Sequence, residues 1–129
     1  MEAAYAPYSG LRVGAVLESA DGRLFSGCNV ENASFPVTLC AERAALGSAV
    51  RAGAREFSRL ALWVNGSRPA SPCGMCRQAL AEFGDDIRVI SVATGGGADR
   101  VEGKGVSWRL CDLLPASFGA GDLPGAETT

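Results

Sequence analysis

The chain has 129 residues, of which 47% are hydrophobic and 20% are charged, so its composition is that of one folded domain and not of a disordered chain. Its formal net charge of −2 and its 12 scattered basic residues argue against polymeric nucleic acid as a partner. No apolar run approaches the roughly 20 residues of a membrane span, and residues 1–10 do not form a signal-peptide pattern. We therefore expect a soluble, cytoplasmic protein without a membrane partner.

The order of apolar runs and turn signals predicts eight secondary-structure elements. In chain order these are strands 11–19 and 23–28, helix 40–52, strand 57–64, helix 73–83, strands 87–94 and 100–104, and helix 107–114. This β-β-α-β-α-β-β-α order predicts an α/β fold, specifically a three-layer α/β/α sandwich with a mixed five-stranded sheet. Residues 1–129 are expected to form a single domain with a loose tail from residue 119 onward.

The cysteine and histidine content limits the chemistry that the chain can perform. An odd number of cysteines in a cytoplasmic chain argues against a disulfide framework. The five cysteines are Cys28, Cys40, Cys73, Cys76 and Cys111. Histidine is absent, which excludes a Ser-His-Asp or Cys-His site. Any metal site must therefore be built from cysteine or carboxylate side chains.

Two predicted helices begin in a similar way. Thr38 stands two residues before Cys40, and Ser71 stands two residues before Cys73. If these hydroxyl residues are N-caps, both cysteines lie in a first helical turn, and Cys76 lies near the same helix end. The helix dipole and free N–H groups favour thiolates there. Three thiolates with an open fourth position would make a catalytic zinc site.

Glu42 strengthens this interpretation. Residues two apart diverge on the side of a helix, but Cys40 and Glu42 can converge beyond its end, because side chains tilt toward the N-terminus. Glu42 would then be a proton carrier beside water on the metal. The simpler interpretation of Glu42 is a surface carboxylate that stabilises a helix start.

Other interpretations of the cysteines remain open. Cys40 could be a small apolar residue of the core, and Cys73 with Cys76 could be a redox pair. A fourth cysteine, either Cys28 or Cys111, could instead close a structural four-cysteine zinc site.

The motif residues resemble a known family. Residues 40–43, CAER, and residues 72–78, PCGMCRQ, resemble the Cys-x-Glu and Pro-Cys-x-x-Cys signature of zinc nucleoside deaminases. The flanking segments AYAPYSG, VGAVL, GCNVENASFP and LLPASFG are similar to the small homotetrameric cytidine deaminases, and the resemblance extends from about Ala4 to Leu123. It implies hydrolytic deamination of cytidine and 2′-deoxycytidine in pyrimidine salvage. It also implies a homotetramer with shared active sites.

The resemblance further implies a role for each matching residue. Cys40, Cys73 and Cys76 would hold one Zn²⁺ per chain, and hydroxide would attack C4 of the base. Glu42 would carry protons from the water to N3 and to the departing ammonia. Arg43 would donate to the cysteine sulfurs and offset the negative charge of three thiolates.

The resemblance implies substrate contacts as well. Asn29 and Glu31 would hold the ribose hydroxyls, and the backbone of Ala41 would meet the base. Phe118 would reach the base pocket of a neighbouring subunit.

The chain departs from the family pattern near the expected substrate. Leu11 stands where a phenylalanine is common, Phe35 stands where a tyrosine is frequent, and the usual N-terminal helix is largely absent. Loss of a hydroxyl that bonds the substrate relaxes discrimination. The alternative substrates are a modified cytosine nucleoside, a related aminated heterocycle, or a nucleoside antibiotic such as blasticidin. A non-catalytic structural zinc module is the less favoured alternative.

Overall fold

The computed structural model describes residues 1–95 and 105–125. The described elements are β1 (Val13–Ser19), β2 (Leu24–Cys28), α1 (Ala41–Arg51), β3 (Phe57–Val64), α2 (Gly74–Ala81), β4 (Arg88–Ala93), β5 (Val106–Arg109) and α3 (Leu110–Leu113). Short 3₁₀ turns cover Phe35–Val37 and Ala120–Asp122. The strand order is β2-β1-β3-β4-β5, in which β3 and β4 are parallel and the other neighbours are antiparallel.

The predicted α/β fold with a mixed five-stranded sheet is confirmed, and Val106–Arg109 form the fifth strand. The helix predicted at 107–114 is wrong in its first half, because Val106–Arg109 form a strand and only Leu110–Leu113 are helical. Trp108 pairs with β4 and packs against the core, so sheet pairing overrides the local helical pattern. The strand predicted at 100–104 lies outside the described residues.

One face of the sheet carries the hydrophobic core. Leu17, Leu60, Leu62 and Val89 are almost completely buried there, in one cluster with apolar residues of α1 and α2. Full burial of such a side chain contributes roughly 1.5–3 kcal/mol. The buried apolar positions of β1 and β3, residues 15 and 17 and residues 60, 62 and 64, alternate with less buried ones, which places these side chains on the same face.

Gly27 sets how closely α1 approaches β2. A Cβ atom at Gly27 would lie 2.5 Å from the backbone nitrogen of Ala45 and 2.6 Å from the carbonyl oxygen of Ala41. Both neighbours are backbone atoms, so no side-chain rotation can relieve the overlap and the helix itself would have to move. The close approach therefore fixes the start of α1 relative to the sheet.

The opposite face of the sheet is more open among the described residues. Val16, Ala61 and Ile90 lie side by side on this face and are only half-buried, next to an ion pair of Glu18 with Arg59. The described helices all contribute to the core cluster on the first face. The second helical layer of the predicted sandwich is therefore not among the described elements. No described helix is long and apolar enough to cross a membrane.

Candidate metal centre and catalytic cavity

The two cysteine-bearing helix starts differ from the prediction in one respect. Cys40 and Cys73 are themselves the N-caps of α1 and α2, with extended φ/ψ angles of −76°/152° and −65°/167°. The assumption that Thr38 and Ser71 are the N-caps is therefore wrong. The Thr38 hydroxyl accepts the Asn32 N–H instead, and the Ser71 hydroxyl accepts from an arginine of α2. Because α1 and α2 contact each other, the two N-cap sulfurs meet between the helix ends.

Three sulfur atoms form a cluster at this point. The Sγ atoms of Cys40 and Cys73 are 3.7 Å apart, and those of Cys73 and Cys76 are 3.5 Å apart. Tetrahedral zinc–sulfur bonds of about 2.3 Å require sulfurs about 3.8 Å apart, so the cluster fits a zinc ion with small adjustments. Cys28 and Cys111, although both are described, do not belong to the cluster. Three protein ligands leave one coordination position free, as catalytic zinc sites require.

The electrostatics of the cluster favour thiolate. The pKa of Cys40 is lowered to about 5, first by its hydrogen bond with Cys76 and then by Arg43, against the opposing effect of burial. The same hydrogen bond, together with burial, raises the pKa of Cys76. The cluster therefore carries a thiolate at neutral pH, and zinc would displace the remaining thiol protons on binding.

Arg43 places a positive charge against the cluster. Its Nη2 atom donates to the Cys40 sulfur at 3.7 Å and to the Thr38 carbonyl at 3.2 Å. The hydrogen bond to Cys40 raises the pKa of the guanidinium, so the side chain stays charged. Its Nε atom is buried and has no hydrogen-bond partner in the described part of the chain. This position supports the expectation that Arg43 offsets thiolate charge.

Glu42 lies at the same helix end and is only 6% exposed. Its Oε2 atom is 3.5 Å from the sulfur of Cys76, which belongs to the other helix. Burial raises the pKa of Glu42, and the charge of Cys40 raises it further. A carboxyl group with a raised pKa can both accept and return a proton near neutral pH. The interpretation of Glu42 as a surface carboxylate does not agree with its burial.

A cavity of about 240 Å³ opens beside the cluster. The predicted site residues that line it are Leu11, Asn29, Glu31, Cys40, Ala41, Glu42 and Cys73. The lining residues that the sequence did not indicate for substrate contact are Ser9, Val13, Thr38, Ala70 and Ser71. Ala70 and Ser71 directly precede the Pro-Cys-x-x-Cys motif, so adjacency to the motif is the signal that could have found them.

Asn29 and Glu31 hold one wall of this cavity through hydrogen bonds. Asn29 Oδ1 accepts the Val13 N–H at 2.9 Å, and Asn29 Nδ2 donates to the Leu11 carbonyl at 2.7 Å. Glu31 Oε1 accepts the two backbone N–H groups of Tyr8–Ser9. Hydrogen bonds from this segment lower the pKa of Glu31 and keep it ionised, and the bond from the Ser9 hydroxyl has the largest effect. Contact of both residues with ribose stays a prediction.

Asn65 holds the same wall as well, and no sequence pattern indicated this role. Asn65 follows β3, and its Oδ1 accepts the Arg12 N–H while its Nδ2 donates to the Gly10 carbonyl, both at 2.9 Å. The backbone on either side of Leu11 is therefore bound by the carboxamides of Asn29 and Asn65. These pairings join distant parts of the chain, which no local pattern could reveal.

Phe35 and Phe118 are not part of the cavity lining in a single chain. Phe35 lies in the first 3₁₀ turn and is 75% exposed, and Phe118 is 61% exposed. Phe118 borders a separate hollow of about 380 Å³ at the end of α2. The carbonyl of Phe118 accepts a hydrogen bond from Gln78 Nε2 at 2.9 Å. Contact of either aromatic side chain with a substrate stays a prediction.

The fold and this site define a zinc-binding enzyme of hydrolytic type: three converging sulfurs, a buried carboxyl group and a cavity beside them. The sequence profile described as "Cytidine and deoxycytidylate deaminase zinc-binding region" matches residues 1–93. The chain therefore belongs to the cytidine and deoxycytidylate deaminase family, and its cofactor is zinc.

Individual relatives agree with this assignment. A cytidine deaminase of Sporosarcina psychrophila is 39% identical over 122 residues, which cover 95% of this chain and 85% of the relative. The crystal structure of cytidine deaminase from Burkholderia pseudomallei superimposes with a TM-score of 0.80 at 42% identity, covering 91% of this chain and 89% of that one. A Blasticidin-S deaminase of Bacillus cereus is more distant, at 31% identity over 82% of this chain and 76% of the relative.

Proposed function

We propose that the chain is a zinc-dependent hydrolase that converts cytidine and 2′-deoxycytidine to the corresponding uridines and ammonia, in pyrimidine salvage. The observation that carries the proposal is the position of buried Glu42 against the three-sulfur cluster, at the wall of one cavity. The relatives from Sporosarcina psychrophila and Burkholderia pseudomallei are cytidine deaminases, which supports cytidine as the substrate.

The residues of the chain would move protons and position the base. When bound, zinc lowers the pKa of a coordinated water toward about 7 and so supplies a nucleophile at neutral pH. Glu42 would accept a proton from the attacking water and deliver it to N3 of the ring. Glu42 would then take the proton of the new hydroxyl group at C4 and give it to the departing amino nitrogen. Water and cytidine are thus converted to uridine and ammonia.

Substrate contacts follow from the cavity lining. The backbone of Ala41 lies at the cavity wall, where it would bind the base, and Leu11 would pack against the ring or sugar. Ionised Glu31 would accept hydrogen bonds from ribose hydroxyls, and the carboxamide of Asn29 would accept from or donate to them, in addition to their present backbone partners. Phe35 would contribute only from an oligomer interface, because it is largely exposed.

Cytidine and 2′-deoxycytidine are expected to give the highest kcat/KM in a panel measured by ammonia release. The panel includes a modified cytosine nucleoside, the free base cytosine and blasticidin S. Leu11→Phe tests whether the cavity wall sets the order of preference among these substrates, because it places an aromatic ring at a lining position. The matched control is Leu24→Phe, on an exposed side chain of β2. A clear preference of the wild type for blasticidin S or a modified nucleoside would replace the proposed substrate.

A homotetramer with shared sites is part of the proposal, and so is a cytoplasmic location. Several large apolar side chains are exposed in the chain segments that supply the cavity lining or in the C-terminal segment, which is typical of an interaction surface. They include Tyr5, Tyr8, Leu11, Phe35, Val37, Leu39, Met75 and Phe118. Burial of these side chains between subunits would close the cavity from the side on which one chain leaves it open.

Phe118→Ala is expected to raise KM for cytidine about tenfold with a smaller effect on kcat, since stacking of a ring on a base contributes roughly 1–3 kcal/mol. Steady-state kinetics measure the change, and light scattering tests whether the oligomer persists. Leu123→Ala is the control, because Leu123 is a similarly exposed apolar residue of the same segment. An intact tetramer with unchanged KM would refute the proposed role of Phe118.

A further inference from the structure

Arg77 joins the metal-binding turn to the C-terminal part of the chain. It belongs to α2 and directly follows the metal ligand Cys76. Its Nε atom donates to the Pro72 carbonyl at 2.7 Å, and its Nη2 atom donates to the Ser71 hydroxyl at 2.9 Å. Its Nη1 atom donates to the Leu113 carbonyl at 2.7 Å. All three nitrogens of one guanidinium are thus bound to protein acceptors.

The segment held by Arg77 determines where one metal ligand lies. Ser71 and Pro72 directly precede Cys73, and Ser71 also lines the cavity. Among the described residues, no backbone–backbone hydrogen bond holds either Ser71 or Pro72. Arg77 is therefore the principal polar anchor of the stretch that brings Cys73 to the cluster.

The third contact of Arg77 provides a fixed point. Leu113 is the last residue of α3, and its carbonyl is one of those that a helix end leaves without an intrahelical partner. The element is anchored to the rest of the fold, because the N–H groups of Leu110 and Cys111 donate to the carbonyls of Ile87 and Asp85. Arg77 therefore ties the Cys73 turn to an anchored element instead of to a free loop.

We propose that Arg77 is a positioning residue for zinc: it holds Ser71 and Pro72 so that Cys73 stays in ligand position. The proposal rests on the zinc site of the proposed function, but not on the identity of the substrate. A planar guanidinium can hold three acceptors in a fixed geometry, whereas the ammonium of a lysine cannot reproduce that arrangement. Residues that orient metal ligands from outside typically change metal affinity by about 10–100-fold when they are replaced.

The test is the affinity for zinc itself, measured by competition of the loaded protein with a chromogenic chelator. Arg77→Met is expected to bind zinc at least about tenfold more weakly than the wild type. Arg77→Lys should lie between the two, and Ser71→Ala should show a smaller loss in the same direction. All measurements are made well below the melting temperature of each variant, so that unfolding does not contribute.

Two controls separate positioning from general stability. Arg59→Met makes the same chemical change at an exposed arginine on the far face of the sheet. Gln78→Leu removes the next side chain on α2, which binds the Phe118 carbonyl but not the Cys73 turn. Both controls should keep wild-type zinc affinity. If Arg77→Met does not fold, Arg77→Lys and Ser71→Ala carry the test.

Wild-type zinc affinity in the folded Arg77 variants, with only a lower melting temperature, would overturn the proposal. Because the chelator assay uses no nucleoside, its outcome is independent of whether cytidine is the substrate. If the Arg77 variants bind zinc more weakly and the zinc-loaded wild type does not deaminate cytidine, the role of Arg77 is supported and the proposed function is rejected.

Discussion

Glu42→Gln is expected to lower kcat for cytidine by about 10²–10⁴-fold, which is the range for loss of a general acid–base group. The amide has the shape of the carboxyl group but cannot accept a proton from water and return it to the substrate. Glu42 is buried against the sulfur of Cys76 and its pKa is raised, so it is suited to both steps. Stopped assays of ammonia release measure the loss.

The interpretation of this variant depends on the zinc content. Glu42 is not part of the three-sulfur cluster, so Glu42→Gln should keep about one zinc per chain, as a three-ligand site predicts. Glu18→Gln is the matched control, because it makes the same change in a carboxylate paired with Arg59 on the far face of the sheet. A zinc-loaded Glu42→Gln protein with wild-type turnover would rule out Glu42 as the proton carrier.

Cys73→Ser is expected to remove nearly all zinc and, with it, all measurable deamination. Two remaining thiolates and a poorly coordinating hydroxyl no longer provide the three-ligand site. Cys73 is exposed, so the change should not place a new polar group in the core. Metal analysis by mass spectrometry and circular dichroism of the apo-protein give the two readouts.

The matched controls for this change also decide between a catalytic and a structural zinc site. Cys28→Ser and Cys111→Ser alter the two cysteines that lie outside the cluster. Both variants should retain zinc and activity. Release of zinc from either one would indicate a fourth protein ligand and would favour a structural staple over a catalytic centre.

Local sequence patterns predicted most of the secondary structure, but they failed where pairing with a distant strand determines the conformation. The apolar run at 57–64 needs no context, because its length and composition already indicate a buried strand. Residues 107–114 have a helical pattern, yet the first three belong to a strand. They pair with the edge of β4, where Trp108 lies opposite Val89. The pairing partner lies in another part of the chain, so propensity alone could not identify it.

The site was also predictable where local spacing determines it, and not where residues distant in the chain form contacts. The spacing of Cys40, Glu42 and Cys73 indicated convergence at a helix end, and the structure brings them to one cavity. Thr38 and Ser71 were assumed to be the N-caps because hydroxyl and amide side chains are usually preferred over a thiol at that position, whereas the N-caps are Cys40 and Cys73. Nothing in the sequence signalled that Asn65 and Arg77 hold the walls and the ligand turn, since both act on partners brought near only by folding.

The backbone contact at Gly27 has a consequence for how the substrate range of this enzyme can change. The start of α1 packs against the main chain at Gly27 with no space for a methyl group. The side of the cavity formed by Cys40 and Glu42 therefore cannot be moved away from the substrate by repacking side chains. Adaptation to a bulkier base or sugar must therefore come from the two loop walls, around Leu11 and Ser71. Laboratory evolution toward new nucleosides should accumulate substitutions in those walls and leave Gly27 unchanged.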